Sequence, residues 1–122
     1  MRVTHVNSGT KATYKVNGSM VQITVPGLDP VTFNLADEQK DLDSVIDLSL
    51  NSGFTVLERG VGTWYVASIK LPAKQYTVHE TGEVDAEGWP ITEEVVAPVN
   101  MDNVVLCLWG LPENMADVTA AN

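Results

Sequence analysis

Positive charge stops early in this chain. Lys74 is the last Lys or Arg, and nine acids follow it with no basic partner: Glu80, Glu83, Asp85, Glu87, Glu93, Glu94, Asp102, Glu113 and Asp117. Phosphate affinity rests on clustered Lys and Arg, so a nucleic-acid partner is not expected. Cysteine is almost missing too: Cys107 stands alone and cannot close an internal disulfide. That fits a reducing compartment. No apolar run approaches the roughly 20 residues needed to cross a bilayer, so no membrane span is expected. The opening, Met1-Arg2-Val3-Thr4-His5-Val6, alternates and turns polar too soon for a signal peptide. Cytoplasmic synthesis of a soluble protein is the expectation. Histidine is scarce, with only His5 and His79 and no ligand-like spacing between them, so no zinc site and no cofactor are expected.

What remains is a chain of 122 residues with 44% apolar content, enough for one domain with its own core. Its charge is polarised. The first 74 residues hold seven basic and seven acidic side chains, so the whole formal charge of −9 belongs to the rest. Such a field governs what a surface attracts and leaves the fold open.

The N-terminal third reads as strands. Thr13–Val16 and Met20–Val25 flank Asn17-Gly18, and Asn-Gly accepts positive φ at both centres of a tight hairpin turn. Alternation places Val21, Ile23 and Val25 on the core face. Pro26-Gly27 and Asp29-Pro30 mark a turn before a short strand at Val31–Phe33. A helix is then expected over 36–51. Asn34 can cap it, Asp37 and Glu38 suit its first turn, Leu42, Val45, Ile46 and Leu50 recur at helical spacing, and Asn51-Ser52-Gly53 supplies a stop. Strands follow at Phe54–Glu58 and Thr63–Leu71, with Tyr65, Ala67, Ile69 and Leu71 as the inward set.

Residues 75–97 read as a protruding acidic hairpin. Gln75–His79 runs out, Pro90–Val96 returns, and Asp85–Gly88 is good turn chemistry. Its arms are β-branched but hold few large apolar groups, so the pair is marginal unless it lies on the domain or on a partner. Asn103–Trp109 carries a continuous apolar run, which suits a strand buried on both faces or one with one face buried and the other at an interface. The segments end in Leu71-Pro72 and Leu111-Pro112, and proline stops a sheet ladder. The expected class is α+β: mainly antiparallel strand, one amphipathic helix packed on the sheet, and the acidic hairpin as an excursion within a single domain over 1–112. Residues 113–122 are expected to form a loosely held tail.

No catalytic constellation stands out. Cys107 lies among Val105, Leu106, Leu108 and Trp109 with no nearby cation to lower its pKa, which reads as a buried structural thiol. Asp85 and Glu87 before Gly88 lack the other ligand positions of a calcium loop. Gly60-Val61-Gly62 lacks the lysine of a phosphate loop. The acids fall on an expected helix back and in turns, where water keeps carboxylates ordinary, so a carboxylate-dependent enzyme is the third-ranked reading. Trp89 is the unusual residue, an aromatic at the tip of a charged hairpin. It either folds back on Ile91 or Tyr76 or anchors a neighbour, since Trp is enriched in interface hot spots. With Glu83, Asp85, Glu87, Glu93 and Glu94 it forms the candidate interface.

Three stretches, Thr4–Val16, Tyr65–Tyr76 and Val104–Trp109, resemble small proteins encoded in the tail-gene regions of bacteriophages and prophages. The resemblance implies a virion-associated or assembly role and carries over no catalytic residue. The leading expectation is therefore a non-enzymatic structural component of a phage-like particle, acting through protein–protein contacts or self-association. The alternative is a small acidic module that recognises a basic protein or peptide.

Overall fold

The computed structural model describes residues 1–112. The expected tail at 113–122 lies outside the described residues. Three sheets account for the strands found in 1–112. The first has five strands in the order β1-β10-β7-β5-β6: β1 (Arg2–His5), β10 (Val105–Leu108), β7 (Trp64–Leu71), β5 (Ser44–Leu50) and β6 (Leu57–Arg59). The β1–β10 pair is parallel and the other pairs are antiparallel. A second sheet pairs β2 (Thr13–Asn17), β3 (Met20–Thr24) and β4 (Val31–Asn34). The third is a two-stranded arm, β8 (Tyr76–Val84) with β9 (Pro90–Val96).

The first two sheets share one apolar cluster. Val21, Ile23 and Phe33 enter it from the smaller sheet, and Leu48, Leu50, Val66, Ile69, Leu106 and Leu108 from the larger. The Asn17-Gly18 hairpin has the register its sequence demands, with Val16 opposite Val21 and Asn17 opposite Met20. Val21, Ile23 and Val25 are fully buried.

The helix expected over 36–51 does not form, and the chain is mostly β. Asn34 does cap a helical start, accepting from the Ala36 N–H at 3.2 Å, but the helix is a single turn, α1 (Leu35–Glu38). Gln39 then turns extended, and Ser44–Leu50 enters the large sheet between β7 and β6. The physical reason is that two periods compete in one segment. Helical spacing selects Leu42, Val45, Ile46 and Leu50; a period of two selects Ile46, Leu48 and Leu50. The second set is buried, whereas Leu42 is 78% exposed and Val45 55% exposed. Burying Leu48 contributes about 1.5–3 kcal/mol that the helical register gives up. Asn51, expected at a helix stop, instead ties the β5–β6 turn by accepting from the N–H groups of Thr55 and Val56.

In β7 the simple alternation also breaks. Leu48 pairs with Ala67 and Ser49 with Tyr65, so Val66 is the extra residue of a bulge and turns inward to full burial. On the opposite face of the sheet, Ser68 donates to the Asp47 carboxylate at 2.5 Å. In β10 the apolar run lies between β1 and β7, with Val104, Leu106 and Leu108 buried and the free Cys107 buried beside them. At its end the backbone of Gly110 crosses the 6–12 loop: Asn7 Oδ1 accepts from the Gly110 N–H at 2.6 Å, and the Gly110 carbonyl accepts from Trp64 Nε1 at 2.8 Å.

Candidate interaction surface

The β8–β9 arm leaves the large sheet where β7 ends. Leu71 is the last residue of β7, and the 72–75 segment is fastened to the 39–43 loop. The buried Gln39 amide donates to the carbonyls of Pro72 (3.1 Å) and Ala73 (3.4 Å). The Asp43 carboxylate accepts from the Ala73 N–H at 2.8 Å, and the Lys40 carbonyl accepts from the Lys74 N–H at 2.8 Å. Tyr76 then donates its hydroxyl to Asp41 at 2.7 Å. This bond, with the charges of Asp41 and Glu94, holds the Tyr76 phenol above its ordinary pKa. An open groove of ≈ 540 Å³ lies at this root. The carboxylate in its lining is Asp43, already committed to the backbone.

Beyond the root, nothing among the described residues buries the arm: every residue of β8 and β9 is exposed. The register sorts its side chains. Tyr76 faces Val96, Val78 faces Glu94, Glu80 faces Thr92, and these share one surface. Thr77 faces Val95 and His79 faces Glu93 on the other, which also carries Ile91 by alternation along β9. Glu80 and Glu94 are thus diagonal neighbours of like charge, a destabilising placement in an isolated sheet.

The residues singled out in the sequence all map to this arm. Glu83 lies near the end of β8 and Glu87 in the tip, while Glu93 and Glu94 lie on opposite faces of β9. Asp85 has a local task. Its carboxylate accepts from the N–H groups of Glu87 (3.0 Å) and Trp89 (2.9 Å), and Gly88 completes the turn at φ +85°. Trp89 is 69% exposed, so it does not fold back into cover on Ile91 or Tyr76. Val78 and Val84 are as open as Trp89. The arm therefore presents apolar side chains interleaved with six carboxylates and no Lys or Arg.

Sequence reasoning missed the root. Gln39, Asp41 and Asp43 fall within the expected helix over 36–51, where nothing local marks them as anchors of the arm. Among the described residues no group of three His, Cys, Asp or Glu side chains is placed to hold a metal ion. No helix among them is long and apolar enough to cross a membrane. Comparisons with protein-family models, with curated proteins and with solved structures find no match for this chain.

Proposed function

We propose that this protein is a non-enzymatic assembly component of a phage-like particle, acting through protein–protein contacts made by the β8–β9 arm. The observation that carries this reading is the exposure of the arm along its whole length. A two-stranded hairpin alone in water is marginal at best. One that also bares Val78, Val84 and Trp89 is a surface suited to being covered. The tail-gene resemblance supplies the particle; the arm supplies the contact. The partner it favours is a protein surface with positive charge, because the arm's own charges are all of one sign.

The test is incorporation. The full chain and a chain lacking 78–94, closed by a short turn, are each expressed together with the genes of a phage-tail particle, and purified particles are probed for each. The full chain is expected in particles or their assembly intermediates and the shortened chain is not. Absence of the full chain from both removes the particle assignment. Equal incorporation of the two removes the arm from the contact.

A further inference from the structure

Resting on the reading of the arm as a contact surface, we propose that its partner is a second copy of this chain, with the arm of one molecule added to the open edge of β2 in the next. Charge points to this edge. Residues 1–28 contain Arg2, Lys11 and Lys15 and no acid; the other long acid-free stretch, 59–79, pairs Arg59 with Glu38 and runs into the arm's own root. Among the described residues β2 bonds to the strand β3 on one side and to no strand on the other, and all five of its residues are exposed. Lys15 is part of that edge and Lys11 precedes it, its ammonium donating to the Gly9 carbonyl at 2.7 Å. Tyr14 (42% exposed) and Val16 (43% exposed) give the edge apolar side chains to match those of the arm.

Two arms cannot easily meet each other, since each brings six carboxylates and no cation. An arm laid on β2 of a second molecule instead brings its carboxylates beside Lys11 and Lys15 and completes an unpaired strand edge. Main-chain bonds of this kind give affinity, and the charges select partner and register.

The ends of the molecule fit a head-to-tail contact. Strand register puts Arg2, Val105 and Lys70 level with the arm root and His5, Leu108 and Ala67 at the opposite end of the sheet. Lys11 belongs to that opposite end, because its bonding partner Gly9 lies against Gly110, beyond Leu108. Donor and acceptor are different patches, so the contact is heterologous and builds a ring if it closes and a filament if it does not.

The experiment is a charge swap read by light-scattering mass and sedimentation velocity. Wild type is expected to exceed the monomer mass, and to associate roughly tenfold more weakly in about 0.5 M salt than in about 0.05 M. The K11E/K15E chain and the E93K/E94K chain are each expected to stay monomeric with the wild-type unfolding midpoint, and their mixture to regain the assembled mass. A wild type that stays monomeric overturns self-association but leaves the arm free to serve a different chain. An E93K/E94K chain that assembles like wild type overturns this inference and the arm reading together. Assembly by K11E/K15E alone, or failure of the mixture to assemble, removes β2 as the acceptor. Should either reversal fail to fold, the K11Q/K15Q and E93Q/E94Q chains and the salt series on wild type decide the same points.

Discussion

Replacing Leu48 and Leu42 with alanine, one at a time, separates the strand at Ser44–Leu50 from the helix its apolar spacing imitates. In the sheet, Leu48 is fully buried between Arg59 of β6 and Ala67 of β7, while Leu42 is 78% exposed. Leu48→Ala removes about three methylene equivalents, worth about 2.4 kcal/mol at about 0.8 kcal/mol each. A central strand cannot collapse fully into the space left, and the residual cavity brings the loss to about 3–4 kcal/mol. For a domain of this size 1 kcal/mol is about 4 °C in Tm, so a drop of about 12–16 °C is expected. Leu42→Ala should change stability by less than about 0.5 kcal/mol. Urea titration followed by tryptophan fluorescence, with thermal melts by circular dichroism, measures both. A helix over 36–51 would put Leu42 inside and Leu48 outside. A Leu42→Ala loss equal to that of Leu48→Ala would therefore refute the strand assignment.

Other perturbations probe other joints. Gly110→Ala aims a Cβ at the Ser8 carbonyl oxygen, and urea titration should show a loss of about 2 kcal/mol or more. Glu38 is paired with Arg59 at 2.6 and 2.9 Å, and the Arg59 hydrogen bonds hold its carboxyl below the ordinary value of 4.5. A depressed folded pKa gives stability that is present above the unfolded value and lost as pH falls through the folded one. Glu38→Gln should thus flatten the acid limb below about pH 4.5 and, with Arg59 half in water, remove less than about 1 kcal/mol at neutral pH. Ultraviolet titration should find the Tyr76 phenol ionising above its ordinary range, and Asp41→Asn should bring it back toward that range. Trp89→Ala should leave the unfolding midpoint in place and weaken association, and an unchanged assembled mass would mean that the indole is no anchor.

Legibility followed how many signals each element carried. The Asn17-Gly18 hairpin had turn chemistry and alternation in agreement, and both its register and its buried face could be read. The Asp85–Gly88 tip was readable for the same reason. At 36–51 the signals conflicted. The cap at Asn34 is real, the acids after it suit a first turn, and Leu42 and Val45 complete a helical stripe. What decides against the helix lies elsewhere in the chain. The Gln39 amide is claimed by carbonyls of Pro72 and Ala73, Glu38 by Arg59, and Leu48 by a place between two strands. Such long-range claims leave no local trace. The Val66 bulge was hidden likewise, because alternation within β7 looks regular until its partner strand fixes the register.

The same long-range bonds explain how the arm can be both aimed and available. A hairpin of this composition gains little from its own side chains, since none of them is buried. Its direction must then come from where it is rooted. Five bonds at the root, between Gln39, Asp43, Lys40 and Asp41 and the segment Pro72–Tyr76, fix the first residues of the outgoing strand against a loop continuous with β5. The returning strand is tied in turn by Ala97 N–H to the Gln75 carbonyl at 2.8 Å. The root aims the arm, while the tip keeps exposed apolar groups, as the proposed contact requires. Rigidity at the root reduces the entropy lost on docking, and that loss is one of the main terms opposing association. Loosening the root by Gln39→Ala should therefore weaken association more than Glu83→Gln at the far end of β8, although Gln39 is buried and would touch no partner.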